Sequence, residues 1–298
     1  MTSTAPPPIW APPRRIDSVS GFGYALGYLG GALLLTVNVL MFAKPSIFGL
    51  ENPEAAIRAS FISVAVWWTL FAIPIFRTFP QPKGRAPVGA GRALREGFEE
   101  LGRTFKEVRK FRPVILFLLA YWLYIDGVNT IMKMSVDYGL ALGFPADSLI
   151  SGILMIQFIG FPATLLFGAL GDRISPLVGI FVGIGVYCLV TFYAVVMTSV
   201  LEFYFMAAAI GCVQGATQAM SRSYYGRLIP PDRAGEFFGF YNMMGKFAAV
   251  LGPLLMGTTA LLTGDSRMAI LSVALLFAGG AVMLFVAARA ARHITPAT

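Results

Sequence analysis

Eight stretches of this chain are apolar enough and long enough to cross a lipid bilayer, and that limits what the rest can fold into. A helix rising 1.5 Å per residue needs about 20 apolar residues to cross some 30 Å of hydrocarbon. The stretches are Phe22–Ala43, Ala59–Phe76, Val114–Met132, Leu149–Leu170, Leu177–Met197, Leu201–Met220, Phe237–Leu262 and Met268–Ala288. Charged residues make up only 13% of the 298, about half the share a soluble domain uses to cover its surface. The sequence therefore predicts an all-α, polytopic membrane bundle of eight transmembrane helices.

The basic residues sort by side. Arg14 and Arg15 precede the first span, and Arg173 lies between the fourth and fifth. Arg222, Arg227 and Arg233 lie between the sixth and seventh, and Arg289 and Arg292 follow the eighth. The segment from Arg77 to Arg112 adds ten Lys or Arg against four Glu. With eight spans all of these fall on one side, while the opposite connections are acidic or balanced. The positive-inside rule then places both termini in the cytoplasm, for an integral protein of a bacterial inner membrane. The net charge of +8 reports orientation. Nucleic acid is not an expected partner, because no aromatic platform or binding motif accompanies the charge.

The basic segment also divides the chain two plus six. Residues 1–21 read as a disordered N-terminus, 22–78 as two membrane helices, 79–112 as a linker, 113–291 as a six-helix bundle and 292–298 as a tail. Pro80, Pro82 and Pro87 break the start of the linker. Beyond them Leu94, Phe98, Leu101, Phe105 and Val108 recur at spacings of four and three, the stripe of an amphipathic helix. Such a helix can lie on the membrane surface, held by anionic lipid, and also tether two bundles.

Enzyme chemistry has little to work with. The single histidine, His293, lies in the tail, and Cys188 and Cys212 sit inside apolar blocks with no metal or redox spacing. The spans carry no paired carboxylates and no nucleophile beside a base. No phosphate loop is present to support ATP-driven pumping. No cofactor or metal is expected.

Polar side chains at mid-membrane depth are costly and mark function by default. Asp126 lies about 18 Å into the third span, with Trp122, Asn129 and Thr130 on its helical face. Lys246 lies about 14 Å into the seventh, with Asn242 one turn before it. Gln214 and Gln218 share a face of the sixth span in line with Arg222, and Gln157 is the solitary amide of the fourth. The fifth and eighth spans hold no such residue. The third, sixth and seventh spans, with the fourth, are thus expected to surround a polar space, and the fifth and eighth to lie outside it. For Asn129, Gln157 and Asn242 the alternative to solute contact is an interhelical hydrogen bond worth about 1 kcal/mol. For Asp126 and Lys246 it is a buried ion pair. Gly160, Pro162, Gly252, Pro253 and Gly257 are candidate bend points, with close helix packing as the alternative.

Gly168-Ala-Leu-Gly-Asp-Arg173 resembles the cytoplasmic loop signature of the major facilitator superfamily. Tyr24-Ala-Leu-Gly-Tyr-Leu-Gly-Gly31, Tyr124-Ile-Asp-Gly-Val-Asn-Thr130, Gln218-Ala-Met-Ser-Arg-Ser223 and Glu236-Phe-Phe-Gly-Phe-Tyr-Asn242 resemble its vacuole-effluxer-like branch. That fold has twelve spans in two six-helix halves joined by a cytoplasmic linker. Aligned on the linker, this chain corresponds to the fifth to twelfth family helices. Ser175 and Pro176 stand where the loop signature commonly has a Gly and a basic pair.

The resemblance implies a secondary transporter exporting a small polar solute, with amino acids as the solute class. Asp126 would couple protons or hold a substrate amine, and Lys246 would be its counter-charge or an anion contact. Trp122, Asn129, Gln157, Gln214, Gln218 and Asn242 would line the path, with Asp172, Arg173 and Arg222 at the cytoplasmic gate. The alternative is a non-transporting scaffold, or a subunit packed against a membrane partner.

Overall fold

The structure, a computed structural model, describes residues 16–78, 89–171, 173 and 175–292. The expected N-terminal lead-in, the proline cluster of the linker and the tail lie outside these residues. The described backbone is helical apart from short turns. Its helices are α1 (Ile16–Ala43), α2 (Pro53–Thr78), α3 (Ala90–Lys110), α4 (Arg112–Ala141), α5 (Ala146–Gly171), α6 (Pro176–Ala194) and α7 (Val200–Leu228). They continue as α8 (Ala234–Phe247), α9 (Leu251–Thr263), α10 (Ser266–Ser272) and α11 (Ala274–Arg292). Eight runs among the described residues are long and apolar enough to cross a membrane, α8 with α9 forming one and α10 with α11 another. The chain is an integral membrane protein of all-α class.

Several helices begin before their apolar block, and local chemistry says why. In α2, Pro53 supplies a preset φ at a position whose N–H would be an orphan, and the Asn52 Oδ1 accepts from the Ala55 N–H at 2.8 Å. In α7, Ser199 and Glu202 form a reciprocal capping box.

The chain forms two compact units, whose borders fall inside α1 and α3 and not at the ends of the linker. One comprises residues 27–100. Within it Ser63 Oγ donates to Asn38 Oδ1 at 2.8 Å, joining α1 to α2 through a polar pair. The apolar side chains of α2 face outward, with Phe61 75% and Trp68 74% exposed, as a lipid-facing surface requires.

The other unit comprises residues 101–298 with the start of α1. Its main packings are α5 on α7, α4 on α11 and α6 on α7. Small residues permit them, as is usual between helices in lipid. The backbone of Gly280 lies so close to Tyr124 that a Cβ there would come within 2.8 Å of the Tyr124 Cβ. A Cβ on Gly211 would lie 3.1 Å from the Ile156 carbonyl oxygen. The helices α6 and α11 pack on each other and on α7 and α4, with Leu189, Leu275 and Val282 left exposed.

The seventh span is interrupted. Helix α8 ends at Phe247, and α9 begins at Leu251. A break at this depth strands backbone groups that water cannot reach, and α4 satisfies them. Asp126, fully buried, accepts from the Val250 N–H at 3.2 Å, the Leu251 N–H at 2.9 Å and the Gly252 N–H at 2.8 Å. The Thr130 hydroxyl, which donates to the Asp126 carbonyl at 2.7 Å, also lies 3.3 Å from the carboxylate. Asn129 donates its side-chain N–H to the Ala248 carbonyl, satisfying the end of α8. A Cβ on Gly252 would collide with Thr130 Oγ1, so only glycine lets the two helices meet here. The expected bend at Gly252 and Pro253 is thus a break just before them. No ion pair joins Asp126 to Lys246 among the described residues.

The end of α3 docks on the larger unit. Val108 is buried, and Phe105 lies 6.0 Å from the Phe240 ring of α8. Glu107 accepts from Lys110 at 2.6 Å and pairs with Arg233 at 3.4 Å. Of the expected apolar stripe, Leu94, Phe98 and Leu101 have side chains outside the described set.

Two predictions follow from these contacts. Asp126→Ala leaves three buried N–H groups without an acceptor and should lower stability in detergent by at least about 3 kcal/mol. Asp126→Asn, which turns a donor toward those N–H groups, should also destabilise. Asn129→Leu should cost about 1 kcal/mol, and Lys246→Met should leave the thermal midpoint unchanged. Second, the Lys110 hydrogen bond, aided by Arg233, holds the Glu107 carboxyl below the usual carboxylate range against the opposing effect of desolvation. A lowered carboxyl contributes above its unfolded value and is lost as pH falls through the folded one. Amide hydrogen exchange over residues 105–110, corrected for its intrinsic rate, should therefore quicken as pH falls through and below that range. Glu107→Gln should raise exchange at neutral pH and flatten the dependence.

Candidate functional site

The linker-side half of the larger unit is lined with tyrosines. Tyr121 of α4 stacks on Tyr241 of α8 at 4.3 Å, and Tyr241 on Tyr225 of α7 at 4.9 Å. Tyr124 lies edge-on to Tyr121 at 5.7 Å and shares a 2.7 Å hydrogen bond with Ser221. One turn along α7 from Gln218, Arg222 sits over the Phe238 ring at 5.6 Å and faces the Tyr24 hydroxyl of α1. Aromatic faces and a guanidinium attract one another through the ring quadrupole, which helps hold this junction of α1, α7 and α8.

Gln214 Oε1 and Trp122 Nε1 are among the buried polar atoms that have no hydrogen-bond partner among the described residues. Gln214 is only 7% exposed. A buried amide oxygen left unfilled in a dry setting is a place where a ligand's donor would gain most.

The expected site residues sort into three groups. Asp126 and Asn129 are engaged in the helix break. Trp122, Gln214 and Gln218 stand on the α4 and α7 faces of the larger unit; Gln157 is half-buried on α5 beside the α5–α7 contact. Asn242 and Lys246 occupy an exposed face of α8 together with Gly235 and Gly239. Of the expected gate residues, Arg173 is exposed in the α5–α6 turn and Asp172 lies outside the described residues.

A different cluster joins the helix ends on that side. Asp17 of α1, fully buried, pairs with Arg227 of α7 at 2.7 Å and accepts from Ser223. Ser20 donates to the Ala219 carbonyl at 2.9 Å. Gly21 and Gly168 meet backbone to backbone, and a Cβ on Gly171 would lie 3.0 Å from the Asp17 Cβ. The glycines of the Gly168–Arg173 signature thus serve to admit α1. Sequence reasoning missed Asp17, Ser223 and Arg227. The available signal was a carboxylate at the very start of a span whose neighbours are basic.

At the opposite end lies an apolar cavity of about 40 Å³ lined by Ile131, Met132, Val190, Met206, Ile210 and Ile270. The Tyr138 hydroxyl at its edge is already bonded to the Ala194 carbonyl at 2.6 Å. Apolar cavities of this kind stay dry and offer a polar solute nothing.

Comparison with known proteins places this arrangement. A family model described as "Vacuole effluxer Atg22 like" matches residues 12–293. The "Uncharacterized MFS-type transporter YxiO" of Bacillus subtilis (strain 168) is 39% identical over 277 residues, 92% of this chain and 64% of that protein. Autophagy-related protein 22 of Yarrowia lipolytica is 28% identical over 80% of this chain and 45% of its own length. Autophagy-related protein 22-1 of Penicillium rubens is 26% identical over 88% and 48%. The chain therefore spans less than two thirds of each of these relatives. Its match to the family model runs nearly end to end, and the chain belongs to the Atg22-like vacuole effluxer family.

Proposed function

We propose that the chain forms the membrane body of a secondary transporter of the major facilitator type. It moves a small polar solute along the faces of α4, α7 and α8. The observation that carries this reading is the interrupted seventh span, set at mid-membrane in the same unit as a tyrosine wall and an unfilled amide. Transporters use discontinuous helices to place polar groups at the midplane, where an unbroken apolar helix would have none. The names of the family and of a relative, effluxer and transporter, support transport over enzyme chemistry and export as its direction. Amino acids fit a site of amides, hydroxyls and cations.

The excess of Lys and Arg at these ends supports, by the positive-inside rule, a reading in which α3, the Asp17 cluster and both termini face the cytoplasm of a bacterial cell. In this reading closure of that end rests on Asp17, Ser223 and Arg227, with Arg222 pinned between Tyr24 and Phe238. Proton coupling through Asp126 finds no support in the geometry, because donors already surround both of its oxygens. A scaffold role gives no reason for a buried amide oxygen without a partner.

Gln214 separates the readings. Because its carbonyl bonds to nothing among the described residues, Gln214→Leu should leave the thermal midpoint unchanged or raise it. The same variant in proteoliposomes should weaken apparent affinity about tenfold in counterflow of a radiolabelled amino-acid mixture. A loss of stability with unchanged affinity would make Gln214 a packing residue. Absence of counterflow by the native chain would overturn the transporter reading.

A further inference from the structure

We infer that the charge this protein offers a solute at mid-membrane is positive, so that the solute presents an anionic group, a carboxylate or its like, to Lys246. This rests on the transporter reading and narrows it.

Two charged side chains lie near the middle of their spans, Asp126 and Lys246. The fold treats them in opposite ways. Asp126 is wholly buried, and three backbone N–H groups and the Thr130 hydroxyl surround its oxygens. Of its roughly four acceptor positions, three hold backbone N–H groups, and the Thr130 hydroxyl, whose proton goes to the Asp126 carbonyl, covers the rest, so a solute ammonium group finds no approach to this wholly buried carboxylate. The N–H groups at the start of α9, which could themselves have held an anion, are consumed by the same contact. Lys246 has no such compensation: it is exposed, and among the described residues it makes neither an ion pair nor a hydrogen bond. Its helical face carries Gly235, Gly239 and Asn242, all exposed. The nearby acid on α8, Glu236, is already paired with Arg233 at 2.7 Å.

An ammonium group at this depth is sustained by water or by an anion, and a lipid-facing helix would not carry it beside an amide and two glycines. The bland alternative is that Lys246 merely complements the negative end of the α8 dipole. That role needs only a cation and would be indifferent to added anions.

The test is thermal unfolding of the purified full chain in detergent, with lactate, succinate, glutamate and phosphate as probe anions. Choline chloride, an amino-acid amide and mannitol are the controls. At least one carboxylate should raise the midpoint in a saturable way. Lys246→Gln should weaken that anion about tenfold while remaining monodisperse and helical, and Lys246→Arg should retain it. The inference is overturned if no anion stabilises, if stabilisation survives Lys246→Gln undiminished, or if the amide or choline is preferred. Proteoliposome flux separates the two claims. Anion stabilisation through Lys246 without flux keeps the anion site and sinks transport. Flux of an amine that ignores Lys246→Gln keeps transport and sinks the anion site.

Discussion

A helix interrupted inside hydrocarbon sets free carbonyls at one side of the gap and N–H groups at the other. Everything that distinguishes this bundle from a set of plain apolar rods depends on how α4 receives them. Asp126 gathers the N–H groups of Val250, Leu251 and Gly252, and Asn129 takes the carbonyl of Ala248. The two side chains lie three residues apart on α4, so one helical face caps both broken ends. Gly252 is the complement in the partner, since any larger residue would push Thr130 away.

That contact orders the rest of the larger unit. It fixes α8 against α4, which brings Tyr241 onto Tyr121 and Tyr225. It also leaves the opposite face of α8, with Asn242 and Lys246, uncovered by its own unit. Polarity is concentrated where helices meet, and apolar surface is left to lipid.

The spans were legible because length and apolarity are properties of single segments. Eight were expected, and eight are found among the described residues. That α4, α7 and α8 carry Asp, Lys, Asn or Gln while α6 and α11 carry none in their apolar stretches was legible; how deeply each span packs was not, since α6 and the α10–α11 run are more buried than α5 or the α8–α9 run. What sequence reasoning could not supply was partnership. Asp126 and Lys246 stand at similar depth in neighbouring spans, and charge alone suggests a pair. The structure gives Asp126 to the backbone instead, because orphan N–H groups appear only once α8 and α9 are seen to be separate. Asp17 was passed over for the same reason. A carboxylate at the first turn of a helix reads as a routine cap until Arg227 and Ser223, more than two hundred residues away, are placed beside it. The two compact units likewise cut α1 and α3 in mid-helix, where composition gives no sign of a border.

The meeting of Gly21 with Gly168 has a kinetic meaning. Where bulky side chains close a passage, one of them can swing aside on the picosecond-to-nanosecond scale of rotamer exchange and let a molecule by. Two bare backbones have nothing to swing. Under the proposed transport function, that end opens only when α1 withdraws as a body, carrying Asp17 away from Arg227 and Ser20 away from Ala219 in the same movement. Such collective displacements belong to the microsecond-to-millisecond range. The glycine contact thus acts as a filter in time: it is deaf to local jitter and answers only to motion of the whole helix.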